Sequence, residues 1–175
     1  SDGQGQFAPH LIEERYNLED ALVVAMFLMS FIRHADSVKI ANLAQLVNVI
    51  APVLTHGDQL LKQSIFYAFQ MISTRKGGVA LRHSITCDGY ESDIYGYVHD
   101  LDTASIIQGN LLKVFALNRN PGKPMELKVS VTDRTISRLV SSDILHAESA
   151  EASNDFDNPE IVVSRNHEGW AIQND

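Results

Sequence analysis

The sequence changes its hydrophobic periodicity once, close to residue 78, and this change limits the folds that the chain can adopt. Before it, apolar residues recur at helical spacing, as in Leu61, Ile65, Phe69 and Ile72. After it, short apolar runs have period-two character, which is typical of strands. We therefore predict an α/β segment followed by an all-β segment, with the boundary near residues 74–78.

The first predicted helix starts at Asn17, an N-cap residue that is followed three positions later by Asp20. Its interior, LVVAMFLMSFI, is apolar almost all round, and the helix should end near Arg33 or His34. A helix without a broad polar face needs cover on most sides. The pattern therefore indicates that this helix lies inside a larger structure.

A short buried strand is predicted at residues 38–41, opening into a loop that carries Asn42, Gln45 and Asn48. A second helix is predicted to follow, with Asp58 as its N-cap and Gly77 as its end. The order helix, strand, loop, helix is typical of a parallel α/β fold. The loop after such a strand is where barrel enzymes place groups that contact substrate.

The second half predicts antiparallel strands separated by turn-forming segments, as a β-sandwich requires. The predicted strands are residues 79–86, 111–118, 125–131 and, less regularly, 161–164. We therefore assign residues 1–76 to the α/β part and residues 77–175 to the sandwich.

The composition excludes several classes of partner. A net charge of −8 repels a phosphate backbone and argues against nucleic acid. The longest apolar stretch, residues 21–32, is too short to span a bilayer, and residues 1–9 do not have the pattern of a signal peptide. Cys87 is the single cysteine, which excludes an intrachain disulfide and weakly favours the cytoplasm.

The side chains that usually carry chemistry have simpler explanations here. Glu13, Glu14, Glu19 and Asp20 form the one dense acidic cluster near the α/β half, but helix capping and surface exposure explain them better than catalysis. Cys87 fits a buried or half-buried position. The histidines lack metal-ligand spacing, so we expect no metal and no cofactor; they are His10, His34, His56, His83, His99, His146 and His167.

Two further groups allow a binding role beside a structural one. Tyr90, Tyr95, Tyr97 and Trp170 could stack on sugars, although packing in the core or at a sheet edge is the favoured interpretation. The loop amides Gln45 and Asn48 can each donate to and accept from a sugar hydroxyl. From spacing alone, we favour the interpretation that they satisfy backbone groups of the loop.

Residues 16–52, YNLEDALVVAMFLMSFIRHADSVKIANLAQLVNVIAP, closely resemble the segment after the nucleophile strand of family fifty-one α-L-arabinofuranosidases. The resemblance continues through KQSIFYAF (62–69) and GVAL (78–81). It is looser in HDLDTAS (99–105), VFALNR (114–119) and NDFDNPEIV (154–162).

This resemblance implies the last part of a (β/α)₈ barrel, with residues 16–33, 38–41 and 59–74 as its final helix, strand and helix, joined to a jelly-roll-like β-sandwich. It implies a retaining, exo-acting glycosidase that releases terminal α-L-arabinofuranosyl groups. Gln45 matches the amide that contacts the sugar ring, and Asn48 lies in the same motif, where loop structure is its first role. The family's two catalytic glutamates match nothing here, so we expect no catalytic residue in this chain and no hydrolysis by it alone.

Other interpretations stay open at this level. The sandwich could be a non-catalytic module for carbohydrate binding or subunit association, or a complementary chain could supply the missing strands. We expect an arabinofuranosyl-containing saccharide as partner, no membrane partner, a cytoplasmic location, and a homo-oligomer in the full-length protein.

Overall fold

A computed structural model describes residues 13–172, and the interpretations of residues 1–9 and of His10 lie outside this range. Two helices and nine strands are formed within it. In chain order they are α1 (Leu18–Arg33), β1 (Val53–His56), β2 (Gln59–Lys62), α2 (Ser64–Ser73), β3 (Val79–Leu81), β4 (Gly89–Ser92), β5 (Gly96–His99), β6 (Leu101–Gln108), β7 (Leu111–Asn118), β8 (Asp143–Leu145) and β9 (Ser164–Asn166).

Helix α1 begins where the sequence predicts. The Asn17 side chain accepts a hydrogen bond from the Asp20 backbone N–H, and the Asp20 carboxylate accepts one from the Asn17 backbone N–H, each at 2.9 Å. This reciprocal capping box satisfies amides that would otherwise lack a partner at the helix start. The predicted N-cap at Asn17 and the capping role of Asp20 are both confirmed.

The central sheet has the strand order β3-β6-β7 and is antiparallel throughout. β6 and β7 form a hairpin whose two-residue turn places Gly109 at a φ of +59°, a conformation that glycine adopts without a steric cost. β7 coincides with the predicted strand at residues 111–118, so that prediction is confirmed.

The core lies between α1 and this sheet. Met29 of α1 is buried against Ala104 of β6 and Leu117 of β7, and apolar side chains of both helices surround the three. At the end of the same interface, Arg33 Nη1 donates to the Asp102 carboxylate at 2.9 Å and to the Thr103 carbonyl at 2.7 Å. The buried Asp102 is also 3.4 Å from Arg119 Nη2, so this carboxylate of β6 joins the end of α1 to the residue that follows β7.

The predicted strand at residues 38–41 is wrong for this structure, because these residues are irregular and Ile40 is 77% exposed. A strand of a parallel barrel is held by hydrogen bonds to neighbours on both sides. Within residues 13–172, no strand pairs with this segment. A favourable side-chain pattern alone does not stabilise an unpaired strand.

The second helix is also shorter than predicted. It begins at Ser64, and Asp58 lies in a two-residue turn between β1 and β2 instead of capping a helix. Gly57 has a φ of +59° at the first turn position, the geometry that allows a tight hairpin. Residues 59–62 therefore pair as a strand, and Leu61 is buried from that strand.

Several predicted sandwich strands have other bounds. Of residues 79–86 only Val79–Leu81 pair, residues 125–131 form no strand, and the last strand is Ser164–Asn166 instead of residues 161–164. The other residues of these segments pair with no strand within residues 13–172, although their apolar residues alternate. The sequence analysis also missed β6, because its polar residues Asp102, Thr103 and Ser105 are buried and hide the alternation.

Residues 150–162, in the second half of the chain, form hydrogen bonds with the helical first half. Ala152 and Ala150 carbonyls accept the backbone N–H groups of Leu18 and Glu19 at the start of α1. The buried Asn154 side chain donates to the Lys62 and Val162 carbonyls, each at 2.9 Å. Side chains of α1 and of the central sheet pack in one core. The domain boundary between residues 76 and 77 stays a prediction. No helix within residues 13–172 is long and apolar enough to cross a membrane.

Candidate functional site

The loop of residues 42–52 has the most unusual backbone of the described chain. Gln45, Asn48 and Val49 have φ values of 55°, 61° and 61°, and they are the non-glycine residues with positive φ within residues 13–172. Each such residue costs on the order of 1–3 kcal/mol, most for a β-branched side chain such as Val49. Surrounding contacts must hold the loop in this conformation.

Asn48 supplies one set of these contacts. Its carboxamide oxygen accepts the Thr55 backbone N–H at 2.7 Å, and its Nδ2 donates to Thr55 Oγ1 at 3.0 Å. The Asn48 backbone N–H donates to the Val53 carbonyl at 2.8 Å, next to an isolated bridge between Val47 and Val53. These bonds attach the loop to β1. They give Asn48 a role in loop structure, and a contact with sugar stays a prediction.

Gln63 supplies the second set and was not singled out from the sequence. Its side chain is 1% exposed, accepts the Tyr16 backbone N–H at 3.0 Å, and donates to the Ala51 carbonyl at 2.8 Å and the Glu14 carbonyl at 3.2 Å. Gln63 occupies the N-cap position of α2 but makes no side-chain cap bond there. Its amide instead joins the loop to the segment before α1.

Tyr16 adds a third contact from outside the loop, because its hydroxyl donates to the Ile50 carbonyl at 2.9 Å. Burial raises the pKa of Tyr16 above its usual value, and the carboxylates of Glu14 and Asp20 raise this pKa further. The hydroxyl therefore stays protonated and able to donate at neutral pH. Tyr16, Asn48 and Gln63 together hold the C-terminal part of the loop, at residues 48, 50 and 51.

Gln45 differs from these residues because its side chain is exposed. Within residues 13–172, no hydrogen bond engages its amide, while its backbone sits in the left-handed region inside the loop that Asn48 and Gln63 hold. An exposed amide on a fixed backbone can donate to one hydroxyl and accept from another, as a sugar ring requires. Gln45 as a substrate-binding residue stays a prediction.

The acidic residues of the predicted cluster do not form a catalytic pair. Asp20 caps α1, and Glu13 and Glu14 are exposed on the segment that precedes it. The described residues 13–172 contain no group of three or more His, Cys, Asp or Glu side chains placed to hold a metal ion.

Cys87 is half-buried, as predicted, with its Sγ 3.6 Å from His99 Nδ1. His83 bonds to Ser105 Oγ at 3.0 Å and serves the packing of β6.

Tyr90, Tyr95 and Tyr97 lie on the surface at the two-stranded β4–β5 hairpin, so of the two expected places, the core and a sheet edge, the core is wrong for them. Tyr90 of β4 and Tyr97 of β5 are about half exposed, and Tyr95 in the turn between these strands is more so. Tyr90 pairs with Val98 and Tyr97 with Glu91, which places Tyr90 and Tyr97 on opposite faces of the hairpin. The aromatic side chains of this hairpin therefore do not form one flat stacking surface.

Comparison with known proteins decides the family. The sequence profile of the α-L-arabinofuranosidase C-terminal domain matches residues 1–175. This chain belongs to that family. An intracellular exo-α-(1→5)-L-arabinofuranosidase of Halalkalibacterium halodurans is 37% identical over 150 residues, covering 84% of this chain and 30% of that protein. The intracellular exo-α-(1→5)-L-arabinofuranosidase 1 of Bacillus subtilis is 32% identical, covering 94% of this chain and 33% of its own length.

Solved structures show the same fold. A family 51 α-L-arabinofuranosidase from Bifidobacterium longum aligns with a TM-score of 0.77 at 26% identity, covering 94% of this chain and 34% of that one. The α-L-arabinofuranosidase from Thermotoga maritima, solved with arabinose, aligns with a TM-score of 0.72 at 22% identity, covering 93% and 36% of the two chains. The predicted fold class is confirmed, although the strand at residues 38–41 is not formed here.

The arabinofuranosidase C-terminal domain thus spans about a third of the length of the relatives that it matches. Sequence reasoning located the loop and its exposed Gln45, but it missed Gln63, Asp102 and Asn154. All three are buried polar residues whose partners lie far away along the chain. Gln63 has the polar neighbours Lys62 and Ser64, so no local feature of the sequence indicated its role.

Proposed function

We propose that this chain is the C-terminal portion of a retaining, exo-acting α-L-arabinofuranosidase that releases terminal arabinofuranosyl groups from saccharides. The family match over the whole chain carries this proposal, together with relatives at 30–37% identity that are named exo-α-L-arabinofuranosidases. In this proposal the chain contributes a sugar-binding group and the catalytic carboxyl groups come from other polypeptide.

The chemistry of the described residues supports this division of roles. Retaining glycosidases use two carboxyl groups about 5 Å apart, one as acid/base and one as nucleophile. The acids near the loop cap a helix or lie exposed on the preceding segment, and the buried Asp102 is paired with Arg33. An amide cannot replace either carboxyl group, but it can position the sugar that they act on.

Gln45 is the residue that we propose for this contact. It lies two residues before the Val47–Val53 bridge and three before Asn48, whose side chain attaches the following part of the loop to β1. A fixed backbone lowers the entropy that ordering the side chain costs when substrate binds. A donor and an acceptor on one amide would bind two neighbouring hydroxyls of the furanose ring.

The test is a chimera in which this chain replaces the matching C-terminal portion of the Halalkalibacterium halodurans enzyme. With an aryl α-L-arabinofuranoside as substrate, we expect the chimera to be active. Gln45→Ala should lower its kcat/KM roughly 5- to 150-fold, which corresponds to a loss of about 1 to 3 kcal/mol of transition-state binding. Gln70→Ala, which removes an exposed glutamine from α2, is the matched control and should leave kcat/KM unchanged. Equal kinetics of the two variants would return Gln45 to a structural role.

This chain by itself should show no hydrolysis of the same substrate. Activity of the isolated chain would contradict the proposal that its catalytic groups lie elsewhere.

We also propose a cytoplasmic location, supported by relatives that are named intracellular. A homo-oligomeric full-length protein stays a prediction.

A non-catalytic carbohydrate-binding module is the second candidate, and the exposed aromatic residues favour it. Trp170, 53% exposed, borders a shallow depression of about 460 Å³ that is also lined by Asn166, His167 and Glu168. Such a site would let a sugar ring stack on the indole while polar groups bind its hydroxyls. Retention of this chain on insoluble arabinan, lost in Trp170→Ala, would favour this function over the enzymatic one.

A further inference from the structure

Residues 154–162 form a loop whose two ends meet. The Asn154 side chain accepts the Val162 backbone N–H at 2.7 Å and donates to the Val162 carbonyl at 2.9 Å. Asn154 is 2% exposed and Val162 is 0% exposed, so this junction is buried. Compact surface loops with joined ends are frequently functional. We call residues 154–162 the closed loop.

Hydrogen bonds fix the closed loop internally and against the hairpin of β1 and β2. Inside it, one oxygen of the Asp155 carboxylate accepts the backbone N–H groups of Asp157 at 2.9 Å and of Asn158 at 2.6 Å. At its start, Asn154 Nδ2 donates to the carbonyl of Lys62, the last residue of β2, at 2.9 Å. The backbone of the loop therefore keeps a set position beside the hairpin.

The rings of His56 and Phe156 meet where the closed loop faces this hairpin. Their centroids are 6.0 Å apart, and the two rings are tilted by 55°. His56, at the end of β1, is exposed, and Phe156 is half-buried, so the pair presents ring surface to solvent. Such a surface offers apolar area to the C–H groups of a sugar ring.

The hairpin is also attached to the loop that carries Gln45. The Asn48 side chain binds the Thr55 backbone N–H at 2.7 Å and Thr55 Oγ1 at 3.0 Å, and His56 is the next residue. Gln45 precedes the Val47–Val53 bridge by two residues, and His56 follows it by three, which limits their separation to roughly 22 Å. A short oligosaccharide can extend over such a distance.

The charged side chains near the aromatic pair are mostly acidic. Asp58 lies in the hairpin turn, Asp157 and Glu160 lie in the closed loop, and all three are exposed. Arg165 brings one positive charge to this surface, since it donates to the Glu160 carbonyl at 3.0 Å. Carboxylates accept hydrogen bonds from sugar hydroxyls and repel anions. The surroundings therefore suit a neutral saccharide and disfavour an anionic one.

We propose that His56 and Phe156 form a second saccharide subsite, which binds a neutral sugar unit of the oligosaccharide whose terminal unit Gln45 contacts. This inference rests on the proposed function, because it extends the substrate from one arabinofuranosyl group to an oligosaccharide. The subsite takes no part in bond cleavage. It determines specificity, because only a substrate of several units gains the contact.

The first test compares two substrates in the chimera described above. Phe156→Leu should lower kcat/KM for a linear α-(1→5)-arabinopentaose roughly 3- to 10-fold, because it removes the ring and keeps an apolar side chain. It should leave kcat/KM for the aryl α-L-arabinofuranoside unchanged, since this substrate has a single sugar. Tyr95→Leu removes a 79% exposed ring from the β4–β5 turn and is the matched control, for which both values should stay unchanged.

Two further variants separate ring stacking from folding. Phe156→Tyr keeps the ring and should retain the pentaose value, whereas His56→Ala should lower that value as Phe156→Leu does. Because His56 is exposed, His56→Ala keeps the test decisive if thermal unfolding shows that Phe156→Leu does not fold. Equal losses on both substrates, or an unchanged pentaose value in His56→Ala and Phe156→Leu, would overturn the proposal.

Binding to the isolated chain separates the subsite from the proposed function. In a titration followed by NMR, arabinopentaose should bind, His56→Ala should weaken this binding, and a galacturonic acid pentamer should bind more weakly than the neutral pentaose. If the chimera is inactive but the pentaose binds through His56, the proposed function fails and the subsite stands.

Three other results of the titration would contradict the subsite. The isolated chain could give no response to the pentaose. Binding could be lost in Trp170→Ala and kept in His56→Ala, which would move it to the depression beside Trp170. A lysine-rich peptide could bind in preference to the pentaose, which would assign the acidic surface to a protein partner.

Discussion

The interface between α1 and the central sheet and the segment of residues 38–50 are both rich in apolar side chains, yet they differ in almost every physical respect. At the interface, Met29, Ala104 and Leu117 are buried, and the charged Asp102 is paired with Arg33. In the segment, Ile40 and Leu46 face solvent, and Gln45 has a left-handed backbone.

This difference separates what the chain stabilises by itself from what it leaves to other contacts. The interface buries apolar area and satisfies its polar groups within the chain, so it supplies folding free energy locally. The segment is held mainly through Asn48, Gln63 and Tyr16, and it carries a strained backbone. A region of this kind opens more easily than the core around it.

The largest expected effect is the loss of a core side chain. Met29→Ala should lower the free energy of unfolding by about 2 to 5 kcal/mol, because it removes buried methylene groups and leaves a cavity. Ile40→Ala deletes a similar volume from an exposed position. It should change the free energy of unfolding by less than about 0.5 kcal/mol. Urea unfolding of both variants checks the pair, and similar losses would mean that residue 40 is packed.

A smaller effect is expected where the loop is attached to β1. Asn48→Ala should cost about 1 to 3 kcal/mol, because it leaves the Thr55 backbone N–H without its partner and places alanine at a positive φ. Asn42→Ala, in the exposed part of the same loop, is the control and should be close to neutral. A neutral Asn48→Ala would show that the loop is held by Gln63 and Tyr16 alone.

The strain at Gln45 predicts a change of opposite sign. Gln45→Gly should raise the free energy of unfolding by about 1 kcal/mol, since glycine adopts a φ near +55° without steric cost. Gln70→Gly, the same substitution on α2, should lower it by about 1 kcal/mol because glycine is a poor helix former. Denaturant titration distinguishes the two signs. Destabilisation by Gln45→Gly would place residue 45 outside the left-handed region in solution.

The smallest expected effect concerns alkaline pH. The folded pKa of Tyr16 is raised above the usual value of 10.0, so its stabilising contribution is complete below about pH 10 and is lost as the pH rises through the folded pKa. Tyr16→Phe should show a shallower loss of stability above pH 10. Some loss of stability above pH 10 should remain in Tyr16→Phe, because burial also raises the pKa of Tyr67. Unfolding midpoints at several pH values check this, and identical slopes would contradict it.

The sequence by itself determined the elements that depend on near neighbours. The capping box of Asn17 and Asp20, the β7 strand and the half-buried Cys87 follow from local pattern, and the long motif at residues 16–52 indicated the family. A cap places its partners within a few residues, so local composition is enough to predict it.

Tertiary structure alone decided the features whose partners lie far along the chain. Gln63 joins segments 47 residues away and Asp102 binds an arginine 69 residues away, so neither has a local pattern. Residues 38–41 have the composition of a buried strand, but a strand exists only where another backbone offers its N–H and C=O groups. Side-chain pattern therefore predicted which segments could pair, while the availability of a partner decided which of them did.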